Sequence, residues 1–246
     1  MIDVNVSFGN WPFQYFSQDT PAKLSKHLKK NGIDRALVSS SEAAFFPDPD
    51  VCNKKLEASL KNFKDLIPVP AVNPLLENWE NIIDESNSKT VKIFPGYHNY
   101  SLSSECVEKM IEKLLKNKMP LMIQMRIEDE RSHHPLCRIP PVPADDVIKL
   151  SLKYPNLPII CLCAYFAETV KLLKASPNIY ADISFAETTN FLARLLRDVP
   201  AEQLLFGSHT PFLYTKAAVM KIEYAEAGTD IVEKITKTNA EKLFLN

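Results

Sequence analysis

The residues best suited to chemistry in this chain are single polar side chains set into, or just after, apolar runs. His209 stands in Leu204-Leu205-Phe206-Gly207-Ser208-His209-Thr210-Pro211-Phe212, and an imidazole that titrates near neutral pH can serve as a general base. Lys92 lies inside Val91-Lys92-Ile93-Phe94. A charge there is costly unless paired or solvated, so Lys92 reads either as an anion anchor or as a lysine that reaches to the rim or pairs with a nearby carboxylate. Arg126 follows Gln124 by two residues, which in a strand puts both on one face. An inward guanidinium suits bidentate capture of a carboxylate. Gly96-Tyr97-His98-Asn99-Tyr100 offers phenols, an imidazole and an amide on one short stretch. Each can donate to a substrate oxygen, with His98 preferred over Tyr100.

Other candidates have plainer readings beside the chemical one. His133 and His134 are adjacent, so their side chains diverge and chelate one ion only with help from elsewhere. Cys161 and Cys163 share a strand face by alternation and read as core thiols, with a Cys163–His209 nucleophilic pair as the chemical alternative. Asp129, Glu130 and Arg131 form a charged run of the kind that usually becomes a solvated ion-pair cluster. Trp11 and Phe13 are either an apolar wall for a ligand or a cap on the core.

These residues need a frame, and apolar runs of strand length alternate with helical patterns along the whole chain, the signature of parallel βα units. Strands are expected near 2–6, 35–39, 66–72, 90–94, 120–125, 158–163, 179–183 and 203–207. Eight such units predict an α/β fold, a (β/α)8 TIM barrel forming one domain over residues 1–246, since such a barrel takes about 250 residues. Cys106, Val107, Met110, Ile111, Leu114 and Leu115 make one helical stripe, with Ser103 or Ser104 as its cap. Further helices are expected from Asp145 to Leu152, from Phe191 to Arg197, and from Asn239 onward. The longest irregular stretch, Arg126 to Pro143, follows the fifth strand, where barrel loops build active sites.

Composition excludes several classes. With 29 basic and 30 acidic residues, a net charge of −1 gives no footing for nucleic acid. Five glycines are too few for phosphate-cradling Walker or Rossmann loops. No stretch approaches the roughly 20 apolar residues of a membrane span, and no leader pattern opens the chain, so the cytoplasm is the expected location. Five cysteines, an odd number, are expected to be reduced.

The opening Met1-Ile2-Asp3-Val4-Asn5-Val6-Ser7-Phe8-Gly9, the Val91-Lys92-Ile93-Phe94-Pro95 run, the Phe206-Gly207-Ser208-x-x-Pro211-Phe212 segment and the Asn239-Ala-Glu-Lys-Leu-Phe ending together resemble the amidohydrolase superfamily. The likeness is to its amidohydrolase-related branch, which includes small decarboxylases and lactonases, and it spans essentially the full chain. The resemblance implies a His-x-His pair where Asn5 and Ser7 stand, a histidine at or beside Gln124, and an aspartate where His209 stands. The strand-six position falls within Cys161-Leu162-Cys163-Ala164-Tyr165. From these exchanges the expectation is a site with no metal cofactor, zinc being the first candidate if one is bound.

The leading functional expectation is hydrolysis of a lactone, ester or related carbonyl on a small anionic substrate. In that scheme His209 activates water, Lys92 and Arg126 hold a carboxylate, and Asn5 or Gln124 meets the developing oxyanion. Ser7, Trp11, Tyr97, His98 and Cys163 complete the expected substrate-binding set. A second expectation is a non-catalytic barrel that binds a small metabolite. A third is a metal enzyme with ligands drawn from His98, His133, His134 and His209. The expected partner is a small molecule, with neither nucleic acid nor membrane, and homo-oligomers are allowed for.

Overall fold

The computed structural model describes residues 1–245. Its eight parallel strands are β1 (Ile2–Phe8), β2 (Arg35–Ser40), β3 (Leu66–Pro68), β4 (Val91–Ile93), β5 (Leu121–Gln124), β6 (Ile159–Leu162), β7 (Ile179–Asp182) and β8 (Leu204–Leu205). They pair in the order β1-β2-β3 and β4-β5-β6-β7-β8. The two sheets join into one ring. Ala71 bridges to Lys92 on one side and Val6 to Thr210 on the other, with the Val4 N–H donating to the Phe206 carbonyl at 3.0 Å. The predicted α/β barrel is therefore the observed fold, and each strand falls where its apolar run predicts it.

The helices are α1 (Pro21–Lys30), α2 (Asp50–Leu60), α3 (Trp79–Glu85), α4 (Pro95–His98), α5 (Glu105–Lys116), α6 (Ala144–Lys153), α7 (Phe166–Ala175), α8 (Phe191–Leu195), α9 (Thr215–Glu223), α10 (Thr229–Glu233) and α11 (Asn239–Phe244). In α5 the stripe Val107, Met110, Ile111 and Leu114 is buried as its spacing requires. Ser104 occupies the capping position, but its side chain makes no capping bond.

Strands covered on both faces explain the near-continuous apolar runs. Outward residues such as Val91, Ile93, Ile123 and Cys161 pack in the large cluster that includes helix side chains. Inward residues Leu37, Met122, Ile160, Leu162 and Leu205 form a second cluster, to which Ala240 and Phe244 of α11 contribute. Farther along the strands the inward positions turn polar, and this change of character builds the site.

Candidate active site

Asn5 and Lys92 within their strands, and Ser39, Gln124, Cys163, Asp182 and His209 at or just past the carboxyl ends of theirs, are all buried, toward the end that carries chemistry in such barrels. Local backbone explains two of these placements. Cys163 (φ 62°) and His209 (φ 55°) both adopt left-handed conformations just beyond β6 and β8, a geometry that costs a non-glycine residue about 1 kcal/mol or more. The turn at Cys163 corrects the expectation that both strand-six cysteines share one face. Cys161 packs outward, while Cys163 Sγ lies inside, 3.2 Å from Asn5 Nδ2 and 3.1 Å from Gln124 Nε2. All five cysteines are free thiols.

Asp182, unmarked by the sequence reading, anchors the cluster. Its Oδ2 accepts from Asn5 Nδ2 at 2.7 Å and from Ser184 Oγ at 2.9 Å, and its Oδ1 accepts from the Cys163 N–H at 2.9 Å. Burial raises its pKa, and these donors pull it back. A Cβ at Gly207 would come within 2.5 Å of Asp182 Oδ2, so glycine is required there by close approach. Asp3 was also missed as a functional candidate. Its Oδ1 accepts from the backbone N–H groups of Asn5 and Ser208, while Oδ2 is buried without a partner. Burial raises this carboxyl to about 7. The available signal for both was the same as for Lys92, a charge inside an apolar strand.

Lys92 Nζ donates to Ser39 Oγ at 3.0 Å and lies 5.3 Å from the centre of the Phe94 ring. Burial pushes its pKa down to about 8, with Cys163 and Asp182 opposing. His209 Nε2 lies 2.6 Å from the Ile127 carbonyl oxygen. That oxygen only accepts, so Nε2 carries the proton and Nδ1, buried and unpartnered, is the lone pair. Burial pushes the imidazole down to about 3. The imidazole is held as a neutral hydrogen-bonding group whose free lone pair is Nδ1.

The Arg126 guanidinium is engaged by groups of the protein itself. It faces inward with Gln124 as expected, but Nη1 and Nη2 each lie 2.7 Å from the Glu168 carboxylate, Nε lies 3.1 Å from Glu130, and Nη1 also donates to the Cys163 carbonyl. Its fork already holds a carboxylate of the protein. Glu168 in turn accepts from the Tyr165 N–H at the start of α7, so the pair ties the β5 end to that helix. His98 Nε2 is 3.0 Å from the Ala43 carbonyl, fastening the segment after β4 to the segment after β2, while Nδ1 is buried without a partner. Ser7 is buried, and its N–H donates to the Thr210 carbonyl.

An aromatic layer covers the polar cluster. Trp11 packs against Phe45 and Phe212 at 4.9 Å each and against Tyr97 at 6.1 Å, and His209 stacks on Phe212 at 4.9 Å. Of the two readings for Trp11, the structure supports the cap. Phe13 and His134 stack at 5.4 Å, joining the loops after β1 and β5. Above this layer a cavity of about 530 Å³ opens between the loops after β5, β6, β7 and β8.

A family profile described as amidohydrolase matches residues 53–245. The chain belongs to the amidohydrolase family. No curated protein matches it. Among solved structures it is similar to 5-carboxyvanillate decarboxylase from Novosphingobium aromaticivorans, at 13% identity and TM-score 0.77, covering 100% of this chain and 96% of that one. It is also similar to 2,6-dihydroxybenzoate decarboxylase from Rhizobium, at 14% identity and TM-score 0.72, covering 98% and 97%. A third is dihydroxybenzoic acid decarboxylase from Polaromonas, at 14% identity and TM-score 0.75, covering 98% and 96%.

The first and third of these structures contain manganese. They overturn the expectation of a cofactor-free site at the level of the family, whose chemistry on this fold includes a divalent metal. The side chains at this site offer a different donor set, in which the Asn5 Oδ1, Gln124 Oε1 and His209 Nδ1 acceptors are buried without a partner. Hard divalent ions favour carboxylate, carbonyl and water oxygens. Among the described residues no group of three or more His, Cys, Asp or Glu side chains is placed to hold a metal ion, and the Lys92 charge acts on the buried Asp182 carboxylate, lowering its pKa. The Asn5 amide, the Ser184 hydroxyl and the Cys163 N–H donate to that carboxylate instead.

Proposed function

We propose that this amidohydrolase acts on a small carboxylated molecule at the mouth of its barrel, hydrolysing an activated carbonyl such as a lactone or ester. The observation that carries the reading is Lys92. It is a buried cation whose hydrogen bond goes to the neutral Ser39 hydroxyl, so its remaining N–H groups can receive an anion. A carboxylate there would return the electrostatic stabilisation that burial removed.

In this reading Lys92 holds the carboxylate and Asn5 or Gln124 donates to the carbonyl oxygen as charge builds on it. Asp182, whose pKa is raised by burial, takes the proton from the attacking water. His209, neutral and fixed by Ile127, orients the substrate through Nδ1. The aromatic layer excludes bulk water once the substrate is in place.

A second reading is loss of the carboxylate as carbon dioxide, with Asp182 delivering the proton to carbon. The decarboxylases of similar fold favour it. The test for both is a panel of lactones, esters and aromatic carboxylates, followed for acid release and for carbon dioxide release. Turnover that disappears in Lys92→Met supports the site, and the product selects between the readings. Undiminished turnover in Lys92→Met would overturn it.

A further inference from the structure

Among the described residues Lys92 is the one buried lysine, and it has no counter-charge at contact distance. Its Nζ meets a single neutral partner, the Ser39 hydroxyl. Lys221 shows the contrast: partly buried, it lies 3.7 Å from Glu187 and donates to the Ile183 and Ser184 carbonyls, which is how a lysine drawn out of water keeps its charge.

The Lys92 backbone is fixed. Its N–H donates to the Pro70 carbonyl, and its own carbonyl accepts from the Val72 N–H, at 2.9 Å each. On the other side it pairs with Met122 of β5. Val91 and Ile93 pack outward, so alternation turns the Lys92 amine into the barrel.

An amine held in this way is driven toward its neutral form. With its pKa brought down to about 8 by burial, about a tenth of the chains carry a free Nζ lone pair at pH 7, against roughly one in three thousand for an ordinary lysine. Burial is one of the ways in which proteins make lysine a nucleophile toward carbonyl carbon. The surroundings also suit the cation that such an attack creates. Gln124 stands two residues beyond Met122, the strand partner of Lys92, and both Gln124 Oε1 and Asn5 Oδ1 are buried acceptors without a donor.

We propose that Lys92 is a covalent nucleophile that forms an imine with the ketone of a small 3-oxo carboxylate, which then loses carbon dioxide. The Nζ lone pair forms a C–N bond to the ketone carbon. The ketone oxygen takes one proton from nitrogen and one from Asp182 and leaves as water, so the iminium keeps one N–H. The C–C bond to the carboxylate breaks, and its electron pair moves into the iminium to give a neutral enamine and carbon dioxide. The enamine carbon takes a proton relayed from solvent by Asp182. Water then adds, the C–N bond breaks, and the ketone product, the free amine and the proton lent by Asp182 are restored. The loss of carbon dioxide rests on the second reading of the proposed function, whereas the imine stands on the placement of Lys92.

The test is to incubate the full chain with acetoacetate and sodium cyanoborohydride and to read its mass and its proteolytic peptides. Reduction should fix an isopropyl group on Lys92, on the order of a hundredfold faster than on exposed lysines, following the difference in free amine. Lys92→Met should lose the label. Benzoate, a carboxylate without a ketone, tests the carboxylate anchor separately by calorimetry. A label spread over exposed lysines, or undiminished in Lys92→Met, would overturn the imine. Benzoate binding with no label on Lys92 would overturn the imine and spare the anchor. A label on Lys92 without benzoate binding would support the imine and overturn the anchor. A label that retains the carboxyl group, with no carbon dioxide released when the reductant is left out, would support the imine and overturn the decarboxylation. Neither label nor binding would overturn both.

Discussion

Asn5 Nδ2 lies 2.7 Å from Asp182 Oδ2, so a neutral amide on the first strand is the donor facing the buried carboxylate of the seventh. Replacing Asn5 by Ala removes that donor and should cost about 1–3 kcal/mol in urea unfolding at pH 8. Asn5→Asp should cost more, because it sets one carboxylate against another, and the excess should shrink at pH 5 as one of the two keeps a proton. Equal losses for the two variants at both pH values would refute the contact's importance.

Gly207 has no room for a side chain, since an added Cβ would also come within 2.8 Å of Asp182 Cβ. Gly207→Ala should destabilise by about 1–3 kcal/mol, as overpacking does in a tight interior. The melting temperature checks this, and an unchanged value would mean that the β7 end yields.

Asp3 should make stability depend on pH. Its carboxyl is raised to about 7 in the folded chain against 3.8 for the ordinary group, so between those values the folded state holds a proton that the unfolded state has lost. Its contribution is complete below pH 3.8 and disappears as pH rises through 7, at about 1.4 kcal/mol per unit. Asp3→Asn keeps an acceptor for Asn5 and Ser208. It should therefore gain on wild type by several kcal/mol between pH 4 and pH 8, read from paired urea titrations.

His209 acts in the opposite sense. Below pH 6.5 the unfolded imidazole gains a proton while the folded one stays neutral until about 3, so stability is lost on acidification through that window. His209→Gln should flatten this slope relative to wild type, and an unaltered slope would mean that the folded imidazole titrates normally.

Arg126→Lys should destabilise by roughly 3–5 kcal/mol, because an ammonium cannot reproduce the fork on Glu168 inside the β5–α7 junction. Benzoate affinity should not change. A variant of wild-type stability with lost benzoate binding would restore Arg126 to the ligand.

The barrel was legible because strand periodicity is local: eight apolar runs and their intervening helices can be counted without knowing what touches what. The site was only partly legible, since alternation gives the direction of a side chain and says nothing of its partner. Arg126 and Gln124 do face inward together, yet Glu168, 42 residues away, takes the guanidinium. Cys163 escaped alternation because a left-handed residue ends β6 and redirects its thiol. Asp182 is the last residue of β7, a charge closing an apolar run, but no motif drew attention to it. His209 carries the clearest sequence signal, while its protonation is set by a carbonyl from a distant loop.

The aromatic layer, closed by the Phe13–His134 stack, has a kinetic meaning. On the proposed function, a ligand bound for Lys92 waits until the loops after β1 and β5 part. Its observed association rate will therefore level off with concentration at the rate of loop opening, and once inside it will leave on that same slow clock.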